Sequence, residues 1–368
     1  MAELLTVQEA DAIEVLYERG WTDGLPVVPP TPDKVAAMLA GAAVAADDVL
    51  GSVPARRKVV TAEIAAINAV MAGCLPAYFP VVVTALEAVL DPAFNVNTAA
   101  TSTGGAAIAV VVSGPMATDI GMNARHNVLG SGNRPNATIG RAVRLTVSNA
   151  LGAKTGKLDA SSIGHPGKYT LCFAEDDPGR GWEPLRVEKG YEVADTTVTI
   201  MAVEGPRQIA NQLNERPDDV LRSFAVAMKM ASTFIAGKSG QGIVVLGHEH
   251  ALAVRGAGWS RDRVREFLVE ESRITPAELA AGGITLESGA QHDMTPAADG
   301  KLATMAEPDD VLLVTAGGPG AGWSAYMPAW APRMHSRSVT RRVRPPGEAL
   351  PDCGPDDCAV PWAEEFEQ

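Results

Sequence analysis

The chain has 368 residues, of which 46% are hydrophobic and 20% charged, and its formal net charge is −13. This composition excludes global disorder and allows one large α/β domain or two smaller ones. The acidic balance argues against duplex nucleic acid or an anionic membrane surface as partner, since both call for a basic face.

Aromatics make up 5% of the chain, against 36 Gly and 26 Pro, so tight turns and small-residue packing are expected. The first residues show no basic segment followed by an apolar one. No run reaches the ~18 apolar residues of a membrane span. A cytoplasmic location is therefore expected. Four cysteines do not make a disulfide scaffold.

In chain order, Val7, Ala10, Ile13 and Leu16 predict a helix over 7–19. A proline-stiffened loop follows, Gly20 to Pro32, with Thr31 placed to cap the next helix and Pro32 at its first position. Helices are predicted over 61–73 and from Pro76. Ala106–Ser113 is a continuous apolar strand, and Asn136 is placed to cap a helix reaching Asn149. Further strands are expected at Tyr169–Ala174, Thr196–Val203, Gly242–Leu246 and Asp310–Ala316. Helices are expected around 218–235, 249–255 and 261–271.

This alternation predicts an α/β fold, with a helical N-terminal region and a largely parallel, helix-flanked sheet. The expected divisions are 1–175, helix-rich with a Gly-rich anion loop; 176–340, α/β; and 341–368, a flexible tail. Gly-Pro follows three of the strands (114–115, 205–206, 318–319). Turn punctuation explains this more simply than an internal duplication.

The densest polar segment is Gly164 to Glu175. In an extended chain Tyr169, Leu171 and Phe173 point to one face, expected to be the core, and Lys168, Thr170 and Cys172 to the other, where they would face a substrate. Cys172 lies about 13 Å from Lys168 along such a strand, so the lysine can hold an anionic group but cannot deprotonate the thiol. A thiolate needs a nearby cation, imidazole or helix N-terminus. Cys172 and Cys74 are the expected nucleophiles or soft ligands, His165 the acid/base, Lys168 the clamp, and Glu175 a further catalytic candidate. For either cysteine the plain alternative is a buried, inert thiol.

Gly130 to Arg141 is a Gly-rich loop entering a helix, whose free backbone N–H groups suit a carboxylate or phosphate. Gly132, Asn136 and Arg141 are the expected anion contacts there. Asp23 and Arg56, in Gly/Pro-framed loops, join them as substrate-binding candidates. So does Gly318, in a Gly-rich stretch that reads as a substrate-facing loop or a close backbone crossing. His248 and His250, after a strand, are the metal candidates, and a transition metal is the cofactor they would suit; no third ligand follows at a recognised spacing. Cys353-x4-Cys358 has no second pair, so a mobile dithiol is expected there rather than a structural zinc site.

Five segments carry a family resemblance: Trp21 to Thr31, Ile67 to Cys74, Asn136 to Arg141, Gly164 to Tyr169 and Ala316 to Gly320. Over most of 15–340 the chain resembles the bacterial proteins related to the UGSC (seleno)protein family. The UGSC motif itself is absent from this chain. The resemblance implies a leaning toward thiol chemistry and brings no reaction with it.

Together these readings favour a lyase or hydrolase acting on a small anionic molecule through cysteine, histidine and lysine chemistry. A metal-dependent enzyme with His/Cys ligands is the second reading. A non-catalytic thiol- or metal-binding oligomeric protein is the third. A homo-oligomer is expected, with no nucleic-acid or membrane partner.

Overall fold

The structure is a computed structural model that describes residues 11–177, 179, 181–229, 235–284, 294–345 and 348. The N-terminal part opens with α1 (Ala12–Glu18) and α2 (Pro32–Ala42), the latter entered from Thr31 with Pro32 in its first turn. A hairpin of β1 (Val49–Val53) and β2 (Lys58–Thr61) leads into α3 (Ala62–Ala72), whose N-cap is the Thr61 hydroxyl. Then come α4 (Phe79–Val89), α5 (Val96–Ala99), β3 (Ala107–Ser113), α6 (Pro115–Asp119) and α7 (Arg134–Asn149). Asn133, not Asn136, caps α7: its side chain accepts from the Asn136 N–H at 3.1 Å. The Asn136 carboxamide instead clasps the backbone of Asn123 through both of its polar atoms, at 3.0 and 2.9 Å.

The second part contains β4 (Cys172–Ala174), α8 (Leu185–Glu188), β5 (Thr197–Val203), β6 (Arg207–Ala210), α9 (Pro217–Lys229) and β7 (Gly240–Leu246). It continues with α10 (His248–Gly256), α11 (Arg261–Glu271), α12 (Pro276–Ala281), β8 (Val311–Thr315), β9 (Trp323–Pro332) and β10 (Val339–Arg342).

The fold is α/β, built on a mixed sheet of strand order β4-β3-β5-β9-β7-β8. Only β3–β4 and β7–β8 pair in parallel among the described strands; the other pairs are antiparallel, which corrects the expectation of a largely parallel sheet. The cause lies in the connections. Helical crossovers separate β3 from β4 and β7 from β8, as parallel pairing requires. The short β8–β9 connection carries no helix and returns the chain antiparallel.

The strand order reads the same from either end: a parallel pair, then an antiparallel strand, meeting its counterpart at Val203–Ala329. Beyond that junction the chain crosses over in both directions. β6 follows β5 yet pairs with β9, and β10 follows β9 yet pairs with β5.

Side-chain alternation sorts the core into layers. On one face, Val110, Val112, Cys172, Ala174, Val198 and Ile200 pack with α3, α4 and α7. On the other half, Val244, Leu246, Val311, Leu313 and Tyr326 pack with α9, α10 and α11. The intervening residues, among them Ala109, Val111, Phe173, Met201, Ile243, Val245, Leu312, Val314 and Met327, form one shared cluster. The two half-sheets therefore face each other, with helices outside both. This is why all the strands of the two parallel pairs are apolar on both faces.

β10 and its continuation are part of this body. Val343 is buried, its N–H donates to the Thr196 carbonyl at 2.7 Å, and Arg344 pairs with Glu87. The boundary expected at 341 thus falls inside β10. Among the described residues no helix is long and apolar enough to cross a membrane.

Candidate functional site

The amphipathic helix α7 organises the candidate site. Its apolar stripe, with Ile139, Ala142, Val143 and Thr146, is buried against the sheet and α3. Its arginines emerge on the other side and each grips a different loop. Arg134 donates to the Gly73 carbonyl at 3.1 and 2.9 Å. Arg141 makes two 2.8 Å bonds to Asp23, and also reaches the carbonyls of Leu25 and Pro26. Arg144 binds Asp159 at 2.6 Å.

Several expected contacts are therefore already engaged within the chain. Asp23 and Arg141 bind each other in the two-pronged geometry that suits guanidinium and carboxylate. Their work is to fix the proline-rich loop onto α7. Arg56 likewise ties Asn97, through Oδ1 and O, to the Leu151 carbonyl. Asn136 is spent on Asn123. Gly132 lies in the exposed turn before α7 at φ +112°, a conformation that favours glycine. Gly318 is a close crossing: an added Cβ would sit 2.4 Å from the His126 ring, whose Nε2 lies 2.8 Å from the Pro319 carbonyl oxygen.

The thiols do not face a pocket, which corrects the expected orientation of Cys172. Its strand is covered on both faces, and Cys172 points into the helix-side core against α7. A Cβ on Gly140 would lie 3.0 Å from the Cys172 Cβ and 2.4 Å from Thr170 Oγ1. Burial, with Cys74 nearby, pushes the Cys172 thiol far above its ordinary range. Burial also pushes Cys74 up to about 12, outweighing a hydrogen bond with Thr138 and the charges of Arg134 and Arg141. Neither thiol is a ready nucleophile at neutral pH. Cys353 and Cys358 lie outside the described residues.

His165 precedes a short helical turn, where its Nδ1 accepts from the Gly167 N–H at 3.3 Å. Burial lowers its pKa, against opposing contacts with the Val203 and Gly105 backbone. His250 is buried with both ring nitrogens engaged, Nδ1 with Ser324 Oγ at 2.7 Å and Nε2 with the Asn211 carbonyl at 2.9 Å. Nε2 faces the Asn211 carbonyl, which only accepts, so Nε2 carries the hydrogen, and in the neutral ring Nδ1 accepts from the Ser324 hydroxyl, whose oxygen in turn accepts the Gly247 N–H. That network holds a neutral ring, and burial lowers its pKa. Among the described residues no three His, Cys, Asp or Glu side chains are grouped to hold a metal ion.

Lys168 is where predicted and unpredicted residues converge. Its Nζ lies 2.8 and 2.7 Å from the two oxygens of Asp159, and 2.6 Å from Ser161 Oγ. Ser161 Oγ–H donates to Asp159 Oδ1 at 2.7 Å. Asp159 is 3% exposed in its side chain, whereas Lys168 and Arg144 retain 16% and 15%. Burial works against the Asp159 charge, but hydrogen bonds from Lys168 and Ser161 outweigh it and hold the carboxyl below its ordinary value. Burial likewise disfavours the Lys168 ammonium; Asp159 supports it, Arg144 opposes it, and the balance lies below the usual lysine value. Lys154 is lowered too, by burial and then by Arg144 and Lys157. Sequence reasoning missed Asp159 and Ser161 because residues 150–163 carry no periodicity; Arg144 was legible on the polar face of α7 beside Arg141, but not its pairing with Asp159. The one available signal was an acidic residue flanked by Lys154, Lys157 and Lys168.

Glu175 sits apart from Lys168, just beyond β4. It accepts from Ser113 Oγ at 2.5 Å and from the Leu185 N–H at 3.0 Å. Burial raises it to about 7 despite Arg261, Ser113 and the Leu185 N–H.

No protein-family model matches this chain, and no curated protein matches it either.

Proposed function

We propose that the protein is an enzyme of the lyase or hydrolase type acting on a small anionic molecule at the Lys168 cluster. The observation that carries this reading is the placement of Lys168 Nζ against Ser161 Oγ and both oxygens of Asp159, with Arg144 on the same carboxylate. Two cations share one carboxylate, so the cluster keeps a positive excess, and Lys154 adds to it. An anionic group is the complement of that charge. Lys168 serves as anchor and acid/base, since its proton is held less tightly than in a free lysine. Ser161 relays the hydrogen bond between Lys168 and Asp159.

Four of the five segments that carry the resemblance to UGSC-related proteins meet at α7: the Asp23 loop, the Ile67–Cys74 segment, the Asn136–Arg141 stretch of α7 itself and the Gly164–Tyr169 segment. Relatedness to those proteins belongs to this proposal. So does homo-oligomer formation, which the exposed Leu158, Ile163 and Tyr169 beside the cluster support.

The test is a screen of small carboxylates and phosphate esters for binding and for bond cleavage. Lys168→Met is expected to lower kcat/KM by ~10²-fold or more on the substrate found, as loss of an acid/base does. If no small anion binds or is cleaved, and Lys168→Met changes stability alone, the cluster is a structural lock.

A further inference from the structure

Lys168 brings a nucleophile to its cluster as well as a charge. A primary amine attacks carbonyl carbon once it gives up a proton. A path for that proton is built in. Ser161 Oγ lies 2.6 Å from Lys168 Nζ and donates to Asp159 Oδ1 at 2.7 Å. The Ser102 and Gly104 carbonyls, at 3.3 and 3.2 Å, fix the same hydroxyl from another side.

Burial disfavours the Lys168 ammonium, and Asp159 alone supports it. That support is divided, because Arg144 draws on Asp159 Oδ2 at 2.6 Å. A second cation beside a lysine favours the free amine. His165, the other titratable group in electrostatic contact with Lys168, is held toward its neutral form by burial. Lys154 supplies positive charge that no carboxylate takes up: it donates to the Gly20 carbonyl at 2.6 Å and to Asn149 Oδ1, both neutral. Arg144 acts on Lys154 as it does on Lys168, which places the three cations in one field.

An amine nucleophile within that field fits a molecule whose carbonyl carbon stands next to a carboxylate. We infer that the substrates of the Lys168 cluster are 2-oxo acids, held covalently as an iminium on Lys168 Nζ with the carboxylate toward Lys154 and Arg144. This rests on the reading of the cluster as a reaction site for small anions, and it selects the lyase type, since an iminium draws electrons from the bonds beside it. The Nζ lone pair forms the C–N bond as the carbonyl π pair moves to oxygen. Water then leaves as the nitrogen closes the C=N bond. Of the three ammonium protons, two depart in that water and one stays on the iminium nitrogen.

The test is reductive trapping on the full chain. Pyruvate, 2-oxobutyrate and 2-oxoglutarate are each mixed with the protein and borohydride, whose hydride turns an iminium into a stable secondary amine, and peptide mass analysis locates the label. At least one of them is expected to label Lys168 ~10-fold or more over Lys154 and Lys157, as an oriented nucleophile does. Acetone, a carbonyl without the carboxylate, should label it far less. Arg144→Met should cut labelling at neutral pH by ~10-fold with recovery at alkaline pH, because the lysine then keeps its proton against one cation fewer, and Arg144→Lys should restore it. Even labelling of all the lysines, or acetone labelling Lys168 as well as every oxo acid, overturns the assignment. Calorimetry with lactate, which has the carboxylate and no carbonyl, separates the two readings. Lactate binding that is lost in Lys168→Met, with no label at Lys168 from any oxo acid, overturns the covalent step and leaves the anion site standing. Absence of both labelling and lactate binding overturns both.

Discussion

Asp176 and Thr315 join the two outermost strands of the sheet. The Asp176 N–H donates to the Thr315 carbonyl at 2.8 Å, and Thr315 Oγ1 donates back to the Asp176 carbonyl at 2.5 Å. These residues end β8 and follow β4, which stand at opposite ends of the strand order. Their contact shows how far the two half-sheets have closed over their common core. Thr315→Val keeps the shape and removes the hydroxyl, leaving the Asp176 carbonyl short of a donor. The expected loss is about 1–2 kcal/mol, read as a Tm lower by ~2–4 °C. An unchanged Tm would mean that core packing alone closes the sheet.

Glu175 gives stability a defined pH dependence. Its folded pKa, about 7, lies above the unfolded value of 4.5. Between those values the folded state holds more protons than the unfolded one, so stability falls as pH rises. Its contribution is fully present below about pH 4.5 and is lost by about pH 7. The displacement corresponds to about 3 kcal/mol. Denaturant titrations from pH 5 to 8 should show this decline, and Glu175→Gln should flatten it. A variant with an undiminished slope would assign the decline to other groups.

Both described thiols should react slowly in the folded protein. Cys74 and Cys172 are expected to resist alkylation at neutral pH without denaturant and to react fully in its presence. Cys172→Ser places a hydroxyl in an apolar setting and should cost ~1–3 kcal/mol. A fast-labelling Cys172 in the native state, located by peptide mass analysis, would restore it as a nucleophile.

Asp159→Ala removes the one carboxylate that Lys168 and Arg144 share. The two cations then face each other with about a sixth of each side chain exposed. An expected loss of about 2–4 kcal/mol follows, below the full cost of orphaning a buried charge because water reaches both partners. Lys168→Met should cost less, since Arg144 still pairs with Asp159. Chemical denaturation of the two variants checks the order, and a reversed order would show that Lys168 is the group holding the cluster together.

Much of the framework was legible because buried strands and amphipathic helices write strong patterns. The expected strands at Ala106–Ser113 and Thr196–Val203 match β3 and β5 within a residue, and the helix at 261–271 matches α11. β9 was not legible. Its sequence contains Pro328 and Pro332, and proline normally marks an edge. Pro328 is tolerated beside a register shift in the pairing with β7, and its carbonyl accepts the Glu204 N–H. The site was less legible than the fold. Alternation assumes an extended chain from Lys168, but Lys168 ends a helical turn (Pro166–Lys168) and β4 starts only at Cys172, so Tyr169, expected in the core, is exposed and Cys172, expected outward, is buried. Nor could spacing show that Asp23 and Arg141, more than a hundred residues apart, neutralise each other.

The exchange of β6 and β10 has a consequence for how the chain can be divided. Each half-sheet is completed by a strand that belongs, in sequence, to the other half. A cut between β6 and β7 would strip β10 from β5 and β6 from β9, exposing backbone donors and acceptors on both. Such open edges invite pairing with any passing strand. The two halves are therefore better regarded as a clasp than as two beads: each is finished only in the other's company.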